Sequence, residues 1–183
     1  MSQLFVYHTS QPIQAIKVLN HFEDISSTLA QIGVGFEQWQ AQQPLTAESD
    51  AEQIIAAYDA NIARLQQSAG YKNVDVIKVD DAHADALELR KQYLEEHSYP
   101  EDTVRCVVNG RLAFSLHIDE HIYVAVCAKG AAISIPAGIK QWSDMGERPH
   151  FTAIRLFNTT QALEPQLTGD TIAQHYPVLD DLL

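Results

Sequence analysis

From Val104 onward, side chains change sides at almost every residue, and this alternation limits the possible folds more than any other feature of the sequence. "LAFSLHI" puts Leu112, Phe114, Leu116 and Ile118 on one side and Ala113, Ser115 and His117 on the other. "HIYVAVC" and "FTAIRLF" alternate in a similar way. A period of two is the geometry of a strand, and short strands separated by turn residues predict a β-barrel or jelly roll. The first half reads differently. "QLFVYH" is a short strand candidate and "EDISSTLAQIG" a helical one. "TAESDAEQIIAAYDANIARLQQSAG" predicts one helix, with Ile54, Tyr58, Ile62 and Leu65 at helical spacing, acids early and Gly70 as the stop. "ADALELRKQYLEEH" predicts another, and "TGDTIAQHYPVL" a short one ending before Pro177. No repeat, low-complexity tract or linker divides the chain. The expectation is one domain, residues 1–183: a helical and strand N-terminal part at 1–94, a barrel core at 95–160 and a tail at 161–183.

Charge and cysteine usage narrow the function. Twelve Lys and Arg stand against 24 Asp and Glu, a formal charge of −12, and no basic cluster interrupts the acids. Such a surface repels phosphate backbones, so nucleic acid is not an expected partner. No apolar run approaches membrane-spanning length, and the N-terminus lacks a basic start followed by an apolar core, so neither a membrane nor a secretory leader is expected. Two cysteines, Cys106 and Cys127, each inside an apolar run, do not form a disulfide framework. A reducing cytoplasm suits them.

Two spaced patterns carry the chemistry. In "EEHSYPEDTVRCVVNG", His97 is followed by Tyr99, Thr103 and Gly110; in "GAAISIPAGIKQW", Gly130 is followed by Pro136, Gly138 and Gln141. The even offsets from 97 to 99 and 103 would place three side chains on one strand face, here the barrel interior. With histidine at 99 and 141 and glutamate at 103, the two patterns would be the paired metal motifs of a cupin, which they resemble in every spacing.

The resemblance narrows further. "EEH" followed by "EDTVR", with "FSLHI", "ISIPAG", "WSDMG", "PHFTAIRLF" and "LTGDTIAQHYP", looks like the acireductone dioxygenase family, and "IGVGFEQWQA" and "AAYDANIARLQQSAGYKNVDVI" are similar to that family's N-terminal half. The resemblance covers nearly the whole chain. It implies a cupin barrel with N-terminal helices and a dioxygenase reaction of methionine salvage, in which Fe2+ or Ni2+ binds the acireductone as a chelating dianion. The family's three histidines and one glutamate fall on His97, Tyr99, Thr103 and Gln141, and only His97 keeps a ligand type. The family arginine thought to help form the dianion falls on Arg105. Glu96 and Asp102 match residues flanking the ligands. Cys106 stands where a phenylalanine is usual, and Leu163 where a tryptophan is.

Divalent metals of this kind favour imidazole and carboxylate donors. Thr103 offers a neutral hydroxyl, Gln141 a neutral amide, and Tyr99 a phenol whose ordinary pKa is near 10. No Fe2+ or Ni2+ is therefore expected on the protein as purified; if any metal binds, it is one of these two. A relocated metal site would pair His97 with Glu96, Glu101 or Asp102, although Glu96 is an odd step from His97. Arg105 and Arg155 each need an anion, either a salt bridge to Glu101 or Asp102 or a ligand. His117, His121 and His150 read as core, rim and turn residues, and Cys106 as packing. The residues carried forward as binding candidates are Arg105, Arg155, Glu96 and Asp102, with Arg105 also the candidate catalytic residue and His97 the metal candidate. The expected function is that of a degenerate homologue holding a small anionic or enol-like molecule or serving regulation. The competing expectations are a working dioxygenase with a weak or rearranged site, and an interaction protein with a filled barrel.

Overall fold

The computed structural model describes residues 1–80 and 82–183. Among the described residues, twelve strands form two antiparallel sheets. They are β1 (Gln3–His8), β2 (Lys17–Leu19), β3 (Gly35–Gln38), β4 (Asn73–Val79), β5 (His97–Ser98), β6 (Thr103–Asn109), β7 (Leu112–Ile118), β8 (His121–Cys127), β9 (Ala131–Ile135), β10 (Lys140–Asp144), β11 (Phe151–Phe157) and β12 (Gln166–Leu167). One sheet runs β12-β5-β10-β7-β8-β1-β2 and the other β3-β9-β6-β11-β4. The fold is mainly β with helices, as the alternation predicts. The sheets also draw on residues before 95: β1 to β4 all lie in the first half, so only part of that half packs as helices outside the sheets.

Strand alternation sorts the apolar side chains into three layers. Leu112, Phe114 and Leu116 of one sheet meet Phe36, Ile133 and Ala153 of the other between the sheets. Leu116 and Ile133 are fully buried, and burying such a side chain contributes about 1.5–3 kcal/mol. The outer face of the five-stranded sheet, with Val104, Cys106, Val108, Ile154 and Leu156, packs under Ile54, Tyr58, Ile62 and Leu65. The outer face of the seven-stranded sheet, with Ala113, Val124 and Trp142, is covered by Tyr176 and Leu179 from the C-terminal segment.

The helices are α1 (Phe22–Ala30), α2 (Ala51–Ala57), α3 (Asp59–Ala69) and α4 (Ala86–Leu94). The long helix expected from the sequence is thus two helices, broken at Tyr58, which has φ −114° and ψ 15°. The amide of Gln42 donates to the Ala57 carbonyl at 2.8 Å, so this acceptor is taken out of the helical ladder. Asp50 starts α2 with a reciprocal capping box to Gln53. Gly70 ends α3 in the left-handed conformation, as its position suggests. The short C-terminal helix is only a 3-10 turn, Ile172–His175.

Candidate functional site: a cavity between the sheets

The site begins with one cross-strand row. In the five-stranded sheet, Ile133 pairs with Arg105, Arg105 with Arg155, and Arg155 with Asp75. Strand parity turns Arg105 and Arg155 inward, because Val104, Cys106, Ile154 and Leu156 face the helices. Arg155 donates to both carboxylate oxygens of Asp75, from Nε at 2.7 Å and Nη2 at 2.6 Å, a bidentate pair. Arg105 makes no salt bridge among the described residues, and its Nη1 is buried without a hydrogen-bond partner. Burial lowers the proton affinity of Arg105, while Tyr99 raises it and the neighbouring charge of Arg155 lowers it further. A guanidinium stays protonated under such pressure, so the cost is an uncompensated charge.

Arg105 and Arg155 line a cavity between the sheets together with Tyr99, Thr103, Gln141 and Ser143 on the polar side. Ile77, Phe114, Ile135 and Met145 are among its apolar walls. Its free volume is about 50 Å3, room for about three to five waters. Two motif glycines shape the surroundings. Gly138, at φ +79°, donates its amide to the Tyr99 carbonyl at 2.9 Å and so fixes the segment that presents Tyr99. Gly110, at φ +78°, turns β6 into β7 so close to β11 that a Cβ there would lie 2.2 Å from the His150 carbonyl oxygen.

The structure brings together three of the four positions that match the family's ligands: Tyr99, Thr103 and Gln141 line the cavity, and His97 does not. His97 is 1 % exposed and packs edge-on against Tyr99, ring centroids 5.1 Å apart, and against Tyr93 at 6.1 Å. Its Nδ1 donates to the Glu95 carbonyl at 2.7 Å, and burial lowers its pKa. Tyr99 is held protonated: burial pushes its phenol up to about 12, against the opposing pull of Arg105, whose guanidinium carbon lies 5.9 Å from the ring centroid.

Three other expected roles meet different surroundings. Glu96 points away from the cavity and is 1 % exposed; its carboxylate takes a 2.6 Å contact from His117 Nδ1 and a 2.7 Å bond from the Thr168 hydroxyl. The odd step from His97 thus holds, and Glu96 ties the C-terminal segment down through Thr168. Asp102 accepts from the Ala137 amide at 2.8 Å, which braces the turn at Pro136, and Glu101 accepts from the Thr159 amide at 2.9 Å. Neither carboxylate pairs with Arg105 or Arg155, so the expected salt bridges are replaced by the one from Asp75. Cys106 lies on the helix-facing side of its sheet, away from the cavity. The sequence reading missed Asp75 and Ser143. Asp75 was detectable: in "NVDVIKV" it shares parity with Ile77 and Val79, an acid on an inward face.

The residues present do not fit the metal that the family resemblance implies. The cavity offers two phenols, Tyr93 and Tyr99, the latter held protonated, with two hydroxyls and one amide, beside two guanidinium groups. That set carries no negative charge; Asp75, which Arg155 engages, is not part of the lining. Among the described residues, no group of three His, Cys, Asp or Glu side chains is arranged to hold a metal ion. A fixed cation beside the cavity adds repulsion to the missing donors.

Two facing antiparallel sheets, with a cavity between them that is polar along one side and apolar along the rest, define a cupin-type fold. The chain belongs to the ARD/ARD' family, whose model matches residues 3–165. Acireductone dioxygenase of Pseudomonas paraeruginosa is 50% identical over 181 residues, 99% of this chain and 100% of that protein. The acireductone dioxygenase of Stutzerimonas stutzeri is 49% identical over the same coverage. Among solved structures, acireductone dioxygenase from Bacillus anthracis with a cadmium ion in its active centre superposes with a TM-score of 0.78 at 26% identity, covering 90% of this chain and 97% of that one. No described helix is long and apolar enough to cross a membrane.

Proposed function

We propose that this protein is a metal-independent member of the acireductone dioxygenase family that binds a small anionic or enol-like molecule in its cavity, in a sensing or regulatory capacity, and does not turn acireductone over. The single observation that carries this reading is the donor set. Of the four matching positions only His97 is an imidazole or carboxylate, and it does not line the cavity. A neutral phenol, hydroxyl and amide cannot offset a divalent charge, and losing three direct donors costs more than the roughly 10–100-fold lost with one outer partner. Two buried free cysteines and the acidic surface fit a cytoplasmic protein with no role at nucleic acid.

A second reading is favoured by a specific observation and, on the comparisons alone, stands ahead. The full-length relatives near 50% identity are named acireductone dioxygenases, so a working methionine-salvage dioxygenase with a rearranged Fe2+ or Ni2+ site is the rival. Oxygen uptake decides between them. Protein incubated anaerobically with Fe2+ or Ni2+ and then mixed with acireductone and oxygen should consume oxygen no faster than the same mixture without protein. Uptake that depends on both protein and added metal would overturn the metal-independent reading.

A further inference from the structure

We propose that the cavity is a receptor for one compact organic monoanion, a short-chain carboxylate anchored by Arg105. This rests on the metal-independent reading and adds to it the charge, the size and the anchoring residue of the ligand.

The charge follows from the row across β6, β11 and β4. Two guanidiniums face the interior side by side, and one carboxylate, Asp75, answers them. Because Asp75 engages Arg155 through both oxygens, the row is short of one negative charge, and the shortfall sits on Arg105. The place for an anion is marked independently, since Arg105 Nη1 is buried and has no hydrogen-bond partner among the described residues. Buried donors are almost always bonded, and a buried cation without an anion is costlier still. A monoanion accepting from Nη1 would satisfy both the charge and the hydrogen bond. A second negative charge would have no cation left to meet.

The size follows from the walls. About 50 Å3 of free space, bounded by Ile77, Phe114, Ile135 and Phe151, suits a compact group such as a carboxylate bearing one or two carbons. The chemistry of the rim agrees. Tyr99 is a protonated phenol and can donate, while Thr103, Ser143 and the Gln141 amide add neutral donors around the same space. Three of these donors occupy positions where the family places metal ligands. The same cage that lacks charge for a cation therefore has donors for an anion.

The test is calorimetric titration and thermal melting of the purified protein at pH 7, in buffer free of carboxylate, phosphate and chloride. The probes are acetate, propionate, the neutral isostere acetamide, the dianion malonate, and Ni2+. Acetate or propionate should bind saturably at one site per chain and raise Tm, and acetamide should not. Arg105→Met should weaken that binding at least tenfold, with Arg105→Lys between the two. Arg105→Met removes a half-buried charge that no described carboxylate answers, so its ligand-free Tm should equal or exceed the parent's, which excludes unfolding as the cause. Asp75→Asn releases Arg155 and should shift preference toward malonate.

Absence of saturable carboxylate binding to folded parent protein would overturn the proposal. So would equal binding of acetamide, or a carboxylate affinity that survives Arg105→Met. The Ni2+ arm separates this failure from that of the underlying reading. Stoichiometric Ni2+ binding abolished by His97→Ala would sink both. No Ni2+ binding together with no carboxylate binding would sink only the receptor.

Discussion

Tyr99, Thr103 and Gln141 show how few atoms separate a metal cage from its opposite. Each keeps its place in the motif spacing, and each lines the cavity. If the backbone frame is intact, restoring the donors should restore the metal. The triple variant Tyr99→His, Thr103→Glu, Gln141→His is expected to bind Ni2+ at least 100-fold more tightly than the parent, since even one outer partner is worth about 10–100-fold. Its Tm should rise on adding Ni2+, and the parent's should not. The smaller imidazole at 99 also removes the phenol packed against His97. A folded triple variant that ignores Ni2+ in calorimetry would show that the frame has been remodelled. Residue types at the ligand positions were fully legible in the sequence. What was not legible was who answers each arginine: Asp75 lies 80 residues from Arg155, and only register brings them together.

At the scale of elements, the C-terminal segment acts as a strap held by two buried carboxylates. Glu96 holds its start through Thr168. Asp144 holds its end: it accepts from the Leu179 amide at 2.9 Å and the Gly146 amide at 3.1 Å, and pairs with Arg90 of α4 at 2.7 Å. Burial raises the Asp144 pKa, but the Arg90 bond and the two amides outweigh it and leave the pKa below its ordinary value. A carboxylate whose folded pKa is depressed contributes stability that is present above the unfolded pKa, about 3.9, and lost as pH falls through the folded value. Asp144→Asn should therefore cost about 3–5 kcal/mol at pH 7, as for a broken buried pair, measured by urea unfolding. The gap between variant and parent should narrow below about pH 4. A gap independent of pH would refute the ion-pair account. Strands were legible here because a half-buried strand must alternate. The break at Tyr58 was not, because it arises where the Gln42 amide captures the Ala57 carbonyl, a contact that helical periodicity cannot report.

At the scale of the whole molecule, the family frame persists while the residue types at the resemblance's ligand positions differ from imidazole and carboxylate at three of four places. A chain 50% identical over 99% of its length to an acireductone dioxygenase carries neutral donors at three of the four positions that the family resemblance assigns to metal ligands. The resemblance made the fold legible from motifs alone. It could not reveal that His97 would pack outside the cavity, because parity places a side chain on a face and not at a depth. The central claim is that this cavity no longer holds a divalent metal. Element analysis of protein purified without chelators or an affinity metal tests it most directly, before and after equilibration with Fe2+ or Ni2+ under nitrogen. The account predicts well under one Fe, Ni, Co or Mn per chain in both samples. One metal per chain that is lost on His97→Ala would contradict it.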